Sequence, residues 1–324
     1  MPNTRLTFAC GLYDRMQPLY TGEVKPEGID LDFRVIEWSR EIFDRMGGAR
    51  EFDAAEFSSS ELISSMAAGG CPFVAIPVFP SRTFRHGFIC VHRRSGIRAP
   101  KDLEGRRIGT PLYTQTAAIW LRGHLEHDYG VDLSAVTWVQ GALSLAGRHG
   151  DPSVLPPVRT ARIEVNASGK SLSQLLEEGV IDATLGSNIP EALGRNPEVQ
   201  RLFPNFHEIE REYFKRTRIF PIMHLVAIRR ESYQANPGIA ASLFRAFEES
   251  KNRALARMKH LGALRYMLPW LPEYLDEIDQ VFGGDPWPYG IEVNRPTLEA
   301  LVAYMAEQGI IANPLPLEQI FVPV

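Results

Sequence analysis

The sequence predicts a two-lobed α/β protein with a ligand cleft between discontinuous lobes, and three observations carry that expectation. Short β-like runs alternate with helix-patterned segments through the first third of the chain. The 324 residues, 44% hydrophobic and 23% charged, suffice for two cores of ordinary domain size. Polar segments fall at strand ends, where open α/β sheets bind ligands: Ser58-Ser60, Arg82-His86, Tyr113-Thr116 and Gly186-Asn188.

Taken in order, Leu6 to Ala9 reads as a strand, and Ile29 to Ile36 as a second after the turn Pro26-Glu27-Gly28. A helix is expected near Arg40 to Met46 and a strand at Phe52 to Phe57. Ser58-Ser59-Ser60 then stands where helix N-caps belong, before an apolar-periodic helix through Met66. Phe73 to Phe79 is a buried-looking strand, followed by Pro80 to His86 and another strand at Phe88 to Val91. Ala99 to Gly105 reads as a helical turn, Arg107 to Thr110 as a strand and Gln115 to Asp128 as a helix.

Gly141 to Pro157 is rich in Gly, Pro and Ser without clear periodicity, and reads as a surface excursion or a flap. Ser171 to Gln174 suits a capping box, Val180 to Leu185 a strand, and Gly186-Ser187-Asn188 its end. A helix at Ile209 to Thr217 and a strand at Leu225 to Ile228 mark a second crossover. Amphipathic helices follow at Ala240 to Met258 and Thr297 to Gln308. The lobes expected from this order are residues 1–94 with 223–324, and residues 95–222.

A formal net charge of −4 and the lack of a Lys/Arg block leave no field to attract a polyanion, so nucleic acid is not an expected partner. No run approaches a membrane span, and MPNTRLTFACGLYDRM has neither an h-region nor a small-residue cleavage site; the expectation is a cytoplasmic protein. Cys10, Cys71 and Cys90 lie far apart and read as free thiols. A homo-oligomer is the expected state.

His86 and His224 are the acid/base candidates, because imidazole titrates near neutrality, and Asp14 could orient one of them. Arg82 is the favoured carboxylate anchor: strand alternation would put Arg82 and His86 on one face and turn Arg85 away. Ser58, Ser59 and Ser60, with Tyr113, Thr114, Gln115 and Thr116, offer helix starts that could cradle an anion, and Ser187 and Asn188 face them. Capping alone would also explain the hydroxyls. His86, His224 and Asp14 admit a divalent-metal reading too, although no HxH or HExxH spacing supports it. No dinucleotide fingerprint, Walker loop or G-x-S-x-G elbow is present, so no cofactor is expected. Asp285 to Gly290 (DPWPYG) reads either as an aromatic wall for a ligand or as packing between lobes.

At these segments the chain resembles the 4,5-dihydroxyphthalate decarboxylase family nearly end to end. YDR at Tyr13-Arg15, IPVFPSRTFRH at Ile76-His86, GRRIG at Gly105-Gly109, KRTRIFPIMH at Lys215-His224, and WPYG with NRPTL at Trp287-Leu298 carry the resemblance. It implies a type II periplasmic-binding-protein-like fold in a cytoplasmic enzyme that converts a hydroxylated aromatic acid to a phenol and CO2. The substrate would be a small aromatic carboxylate. Against the family pattern this chain has Leu12 in place of an acid, Leu112 in place of a Glu after the proline, and no Arg near Ser187-Asn188. A substrate less anionic than 4,5-dihydroxyphthalate is the corresponding expectation. A non-catalytic binder or sensor of a small aromatic or carboxylate ligand is the alternative, because such folds serve capture widely.

Overall fold

The computed structural model describes residues 3–145, 155–159 and 161–324. Most of the Gly141 to Pro157 segment therefore lies outside the described residues. Strand β1 (Thr4–Cys10) leads through a 3-10 turn at Asp14–Met16 into the short helix α1 (Gln17–Tyr20). β2 (Ile29–Val35) is followed by α2 (Ser39–Gly47), β3 (Ala54–Ser58) runs directly into α3 (Ser59–Ala68), and β4 (Phe73–Arg82) follows. Then come β5 (Cys90–His92), β6 (Arg107–Thr110), α4 (Thr116–Tyr129), β7 (Thr137–Gln140) and β8 (Ile163–Val165). α5 (Leu172–Glu177), β9 (Ala183–Thr184), β10 (Val199–Arg201) and α6 (Phe206–Thr217) complete this run. The chain ends with β11 (Ile222–Arg229), α7 (Arg230–Ala235), α8 (Gly238–Met258), α9 (Leu271–Phe282), α10 (Arg295–Glu307) and α11 (Leu317–Ile320).

Two mixed sheets result, ordered β2-β1-β3-β11-β4 and β10-β5-β9-β6-β7-β8. The chain leaves the first sheet after Arg82 and re-enters it at Ile222, so two segments connect the sheets. β11 runs antiparallel between β3 and β4. That central place suits its near-continuous apolar sequence, since a strand flanked on both sides is buried on both faces. β2, at the edge, carries Asp30, Asp32 and Arg34, which discourage pairing with another chain.

The capping box expected at Ser171 is present: Ser171 Oγ accepts from Gln174 N at 3.2 Å and Gln174 Oε1 accepts from Ser171 N at 2.8 Å. Two expected strands are shortened. β9 keeps only Ala183 and Thr184, and the strand expected at Phe88 to Val91 begins only at Cys90, because His86–Phe88 form a 3-10 turn. Behind the sheets α10 packs against α4, where Gly123 makes the close approach possible: a Cβ there would stand 2.1 Å from Cδ2 of Tyr304. One buried apolar cluster draws on both sheets, and a smaller one, with Cys90, Val139, Leu172 and Ile181, belongs to the second.

Candidate functional site

The site begins with prolines. Between the pairs Val226/Ile76 and His224/Ser81, β11 advances two residues while β4 advances five, so β4 bulges through Pro77 to Pro80. Pro77 and Pro80 have no N–H to give a ladder, and a bulge is the usual outcome of such a strand. Its carbonyls are taken by other parts of the chain. Gly290 N donates to Pro77 O at 2.9 Å, the Trp287 indole to Phe79 O at 2.8 Å, and Arg15 Nε to Pro80 O at 2.9 Å. The DPWPYG loop packs on the bulge, its Trp287 ring 4.4 Å from the Arg15 guanidinium and Tyr13 4.3 Å from the same guanidinium, while Asp285, Pro286 and Trp287 also border an apolar cavity.

Opposite this bulge, His224 pairs in register with Ser58 of β3. Glu56, two residues earlier on β3, shares their face and is fully buried. His224 Nδ1 lies 2.6 Å from Glu56 Oε1, and the Tyr13 hydroxyl donates to that oxygen at 2.9 Å. Cys10 Sγ and Gly11 N donate to Oε2, each at 3.3 Å. Burial alone would raise the Glu56 carboxyl, but His224, Tyr13 and Gly11 overcome it and hold it below the usual carboxylate range. Burial and the Glu56 charge push the Cys10 thiol and the Tyr13 phenol well up, so both serve as neutral donors. Phe43 meets the imidazole edge-on at 4.9 Å, which fixes the ring plane. With Nδ1 committed to Glu56, Nε2 is the nitrogen left to face a ligand.

Beside His224 the starts of α3 and α4 meet. Thr116 Oγ1 accepts from Ser60 N at 3.1 Å and lies 2.9 Å from Ser60 Oγ and 3.2 Å from Ser58 Oγ; Ser60 Oγ donates to Thr114 O at 2.9 Å. The structure therefore brings Ser58, Ser60, Thr114 and Thr116 together, bonded to one another. Ser59 is buried alongside, and Gln115 Nε2 donates to Ser187 Oγ at 3.1 Å.

Other expected site residues have different places. Asp14 pairs with Arg15 at 3.0 Å and touches neither histidine; Glu56 does the orienting instead. Arg82 is spent internally, on Asn294 Oδ1 at 2.6 Å, Phe220 O at 3.2 Å and Pro288 O at 3.3 Å, so it is not a free carboxylate anchor. Strand alternation failed for this segment because β4 ends at Arg82. Arg85 consequently turns inward: its Nη1 donates to Ser187 O at 2.6 Å, and burial pushes its guanidinium down to about 10. Among the described residues no carboxylate hydrogen-bonds to Arg85. Tyr113 is a core residue, its ring 3.8 Å from the buried Arg122 guanidinium, and Asn188 is exposed. His86 is buried against His124, with ring centroids 4.8 Å apart, so His86, His224 and Asp14 do not converge on a common ion. An apolar cavity of about 390 Å³ between α6, α8 and α9 is bordered by Asp14, Arg15, Phe84 and Trp287, and His224 is not among its walls.

The chain is similar to known proteins. A 4,5-dihydroxyphthalate decarboxylase of Comamonas testosteroni is 35% identical over 100% of this chain and 98% of its own length. The chain belongs to the 4,5-dihydroxyphthalate decarboxylase family. A Pseudomonas putida protein of the same description is 38% identical over 63% of this chain and 78% of its own. A family model described as NMT1/THI5 like matches residues 48–147, which include Glu56, Ser58 and His86. The fold of this family member is that of periplasmic binding proteins: the aliphatic sulphonate binding protein SsuA of Escherichia coli superposes with a TM-score of 0.55 at 13% identity, covering 100% of this chain and 92% of that one. The desulfurization enzyme DSZB superposes with a TM-score of 0.51 at 15% identity, over 99% and 97% of the two chains. Among the described residues no helix is long and apolar enough to cross a membrane.

Sequence reasoning missed Glu56, although a signal was available. An acid within the wholly buried strand Ala54–Ser58 is the kind of residue that needs a partner and repays attention.

Proposed function

We propose that this protein decarboxylates a hydroxylated aromatic carboxylic acid, 4,5-dihydroxyphthalate or a less anionic relative, with His224 as the proton donor. The observation that carries the assignment is the 2.6 Å contact between His224 Nδ1 and the buried Glu56, a carboxylate placed to stabilise an imidazolium. Protonated His224 gives the Nε2 proton to the ring carbon bearing the carboxylate, assisted by electron density from the para hydroxyl. The bond to the carboxylate then breaks, its electron pair returns to the ring, and neutral CO2 leaves. His224 regains its proton from solvent, so one proton is consumed for each carboxylate lost.

Arg85 is assigned to the substrate's anionic group. Among the described residues no carboxylate hydrogen-bonds to its buried guanidinium, Glu210 acting on it only through its charge, and a bound carboxylate would supply that bond. Ser58 and Thr116, beside His224, offer hydroxyls to the substrate oxygens. Leu12, 39% exposed just after β1, puts an apolar side chain next to Tyr13, which favours a substrate with fewer charges.

The test is CO2 release and ring absorbance with 4,5-dihydroxyphthalate and a panel of monocarboxylate phenolic acids. Turnover that His224→Asn abolishes, with ligand-induced thermal stabilisation retained, is the expected result. Ligand binding without turnover anywhere in the panel would overturn the assignment in favour of a binder or sensor.

A further inference from the structure

Away from His224, the inner face of α4 holds a second group of chemistry-bearing side chains that the proposed reaction leaves unused. His124 and Asp128 are four residues apart on that helix and therefore share one face. His86, on the segment leading out of the first sheet, lies against them. His86 and His124 are each only 2% exposed. Both ring nitrogens of His124, Nδ1 of His86 and Oδ2 of Asp128 are buried without a hydrogen-bond partner. Four buried polar atoms without a hydrogen bond in one place are costly, and the nearby Glu210 Oε1 stands 3.7 Å from His86 Nδ1, beyond hydrogen-bond reach.

These atoms nevertheless face one another. His124 Nδ1 stands 3.8 Å from Asp128 Oδ2, and the three side chains each offer a donor atom within 4.8 Å of the others. The second oxygen of Asp128 accepts from Arg216 at 2.7 Å, an outer contact that orients the carboxylate. A cavity of about 450 Å³ bordered by His86, Asp128, Tyr213 and Glu212 provides an entry path and room for water.

We infer that His86, His124 and Asp128 form a binding site for a divalent first-row transition ion such as Zn2+, with water from the adjoining cavity completing its coordination. Two imidazoles and a carboxylate suit such ions better than Mg2+ or Ca2+, which prefer all-oxygen shells. Ligand atoms around a tetrahedral ion with bonds of 2.0–2.1 Å lie roughly 3.3 Å apart. The near-parallel rings, 16° between planes, must therefore splay, and donor atoms now up to 4.8 Å apart must close by up to about 1.5 Å to complete the shell. Bound there, the ion pins the connection between the sheets to α4. Its effect is on stability and is independent of the decarboxylase assignment.

The experiment uses the full chain stripped with chelator and dialysed. Co2+ is titrated while its visible absorption is followed, and Zn2+ is added during thermal unfolding with stoichiometry read by mass spectrometry. One equivalent of metal with a tetrahedral Co2+ spectrum and a Zn2+-dependent rise in Tm is expected. The dissociation constant should be at least about tenfold weaker in His124→Gln and in Asp128→Asn. Should His124→Gln fail to fold, Asp128→Asn and His86→Gln carry the test. Absence of saturable binding, or variants that bind as the wild type does, would overturn the site and leave ordered water as the partner of these atoms.

Discussion

Replacing Glu56 by Gln removes the one negative charge beneath His224 while keeping side-chain volume and an oxygen that can accept a hydrogen bond. The present contact is 2.6 Å, and Glu56 is wholly buried, so solvent screens little of the interaction. Opposite unit charges about 4 Å apart at an effective dielectric near 20 attract by roughly 4 kcal/mol. The imidazolium gives up its charge as the proton leaves, so Glu56→Gln forfeits only part of that, together with the fixed ring orientation, and kcat should fall by about 10². KM should change little, because the charge pair acts on the protonated donor and not on the bound substrate. Single-turnover CO2 release, with ligand-induced thermal stabilisation as the folding control, reads the effect. The double variant Glu56→Gln/His224→Asn should be scarcely worse than His224→Asn alone, since Glu56 acts through that ring. Turnover of Glu56→Gln within tenfold of the wild type would refute the positioning role.

Arg85→Ala should raise KM by at least about tenfold, the loss of a charge-assisted hydrogen bond to a carboxylate, and an unchanged KM would remove Arg85 from the site. Gly123→Ala should lower Tm by about 5 °C, because the new methyl group meets the Tyr304 ring and overpacks the α4–α10 contact; an unshifted Tm would show that Tyr304 moves freely. Glu56 also predicts an acid limb in stability. Its folded carboxyl is depressed below the ordinary 4.5, so the unfolded chain binds more protons between those values, and stability present above about 4.5 is lost as pH falls toward the folded value. Urea unfolding at stepped pH should show a slope shallower by at most about 1.4 kcal/mol per pH unit in Glu56→Gln, and an identical slope would contradict the depressed value.

The elements legible in the sequence were those with local signals. Ser58 announces the start of α3 because a capping hydroxyl precedes an apolar period, and the box at Ser171 and Gln174 does the same for α5. His224 stood out as an acid/base candidate, a role that remains a proposal, and the helix starts at Ser58-Ser60 and Thr114-Thr116, expected on facing walls, meet in the bond from Ser60 N to Thr116 Oγ1. What failed depended on non-local geometry. Arg82 and Arg85 exchanged expected orientations because strand alternation was carried past the last strand residue into a turn whose course is set by contacts far along the chain. His86 found its partner in His124, 38 positions on, on a helix whose buried histidine has no sequence mark. Glu56 was passed over because its role depends on two other segments, Cys10 to Tyr13 and the strand of His224, closing around it.

The same non-local logic explains why the two proline-rich motifs occur together in this chain. Pro77 and Pro80 spoil the β4 ladder, which would cost unpaired carbonyls if nothing else reached them. Gly290, the Trp287 indole and Arg15 reach them, and Arg82 in turn bonds the Pro288 carbonyl in that loop. Bulge and loop are therefore one device: the prolines open the strand and the DPWPYG loop closes the account of its hydrogen bonds. Its consequence lies across the sheet, where β11 is released from regular pairing on both sides of His224. A regular ladder would bury the ring among neighbours above and below. The bulge instead leaves the His224 side chain 18% exposed with one nitrogen fixed on Glu56, as the proposed role of proton donor requires.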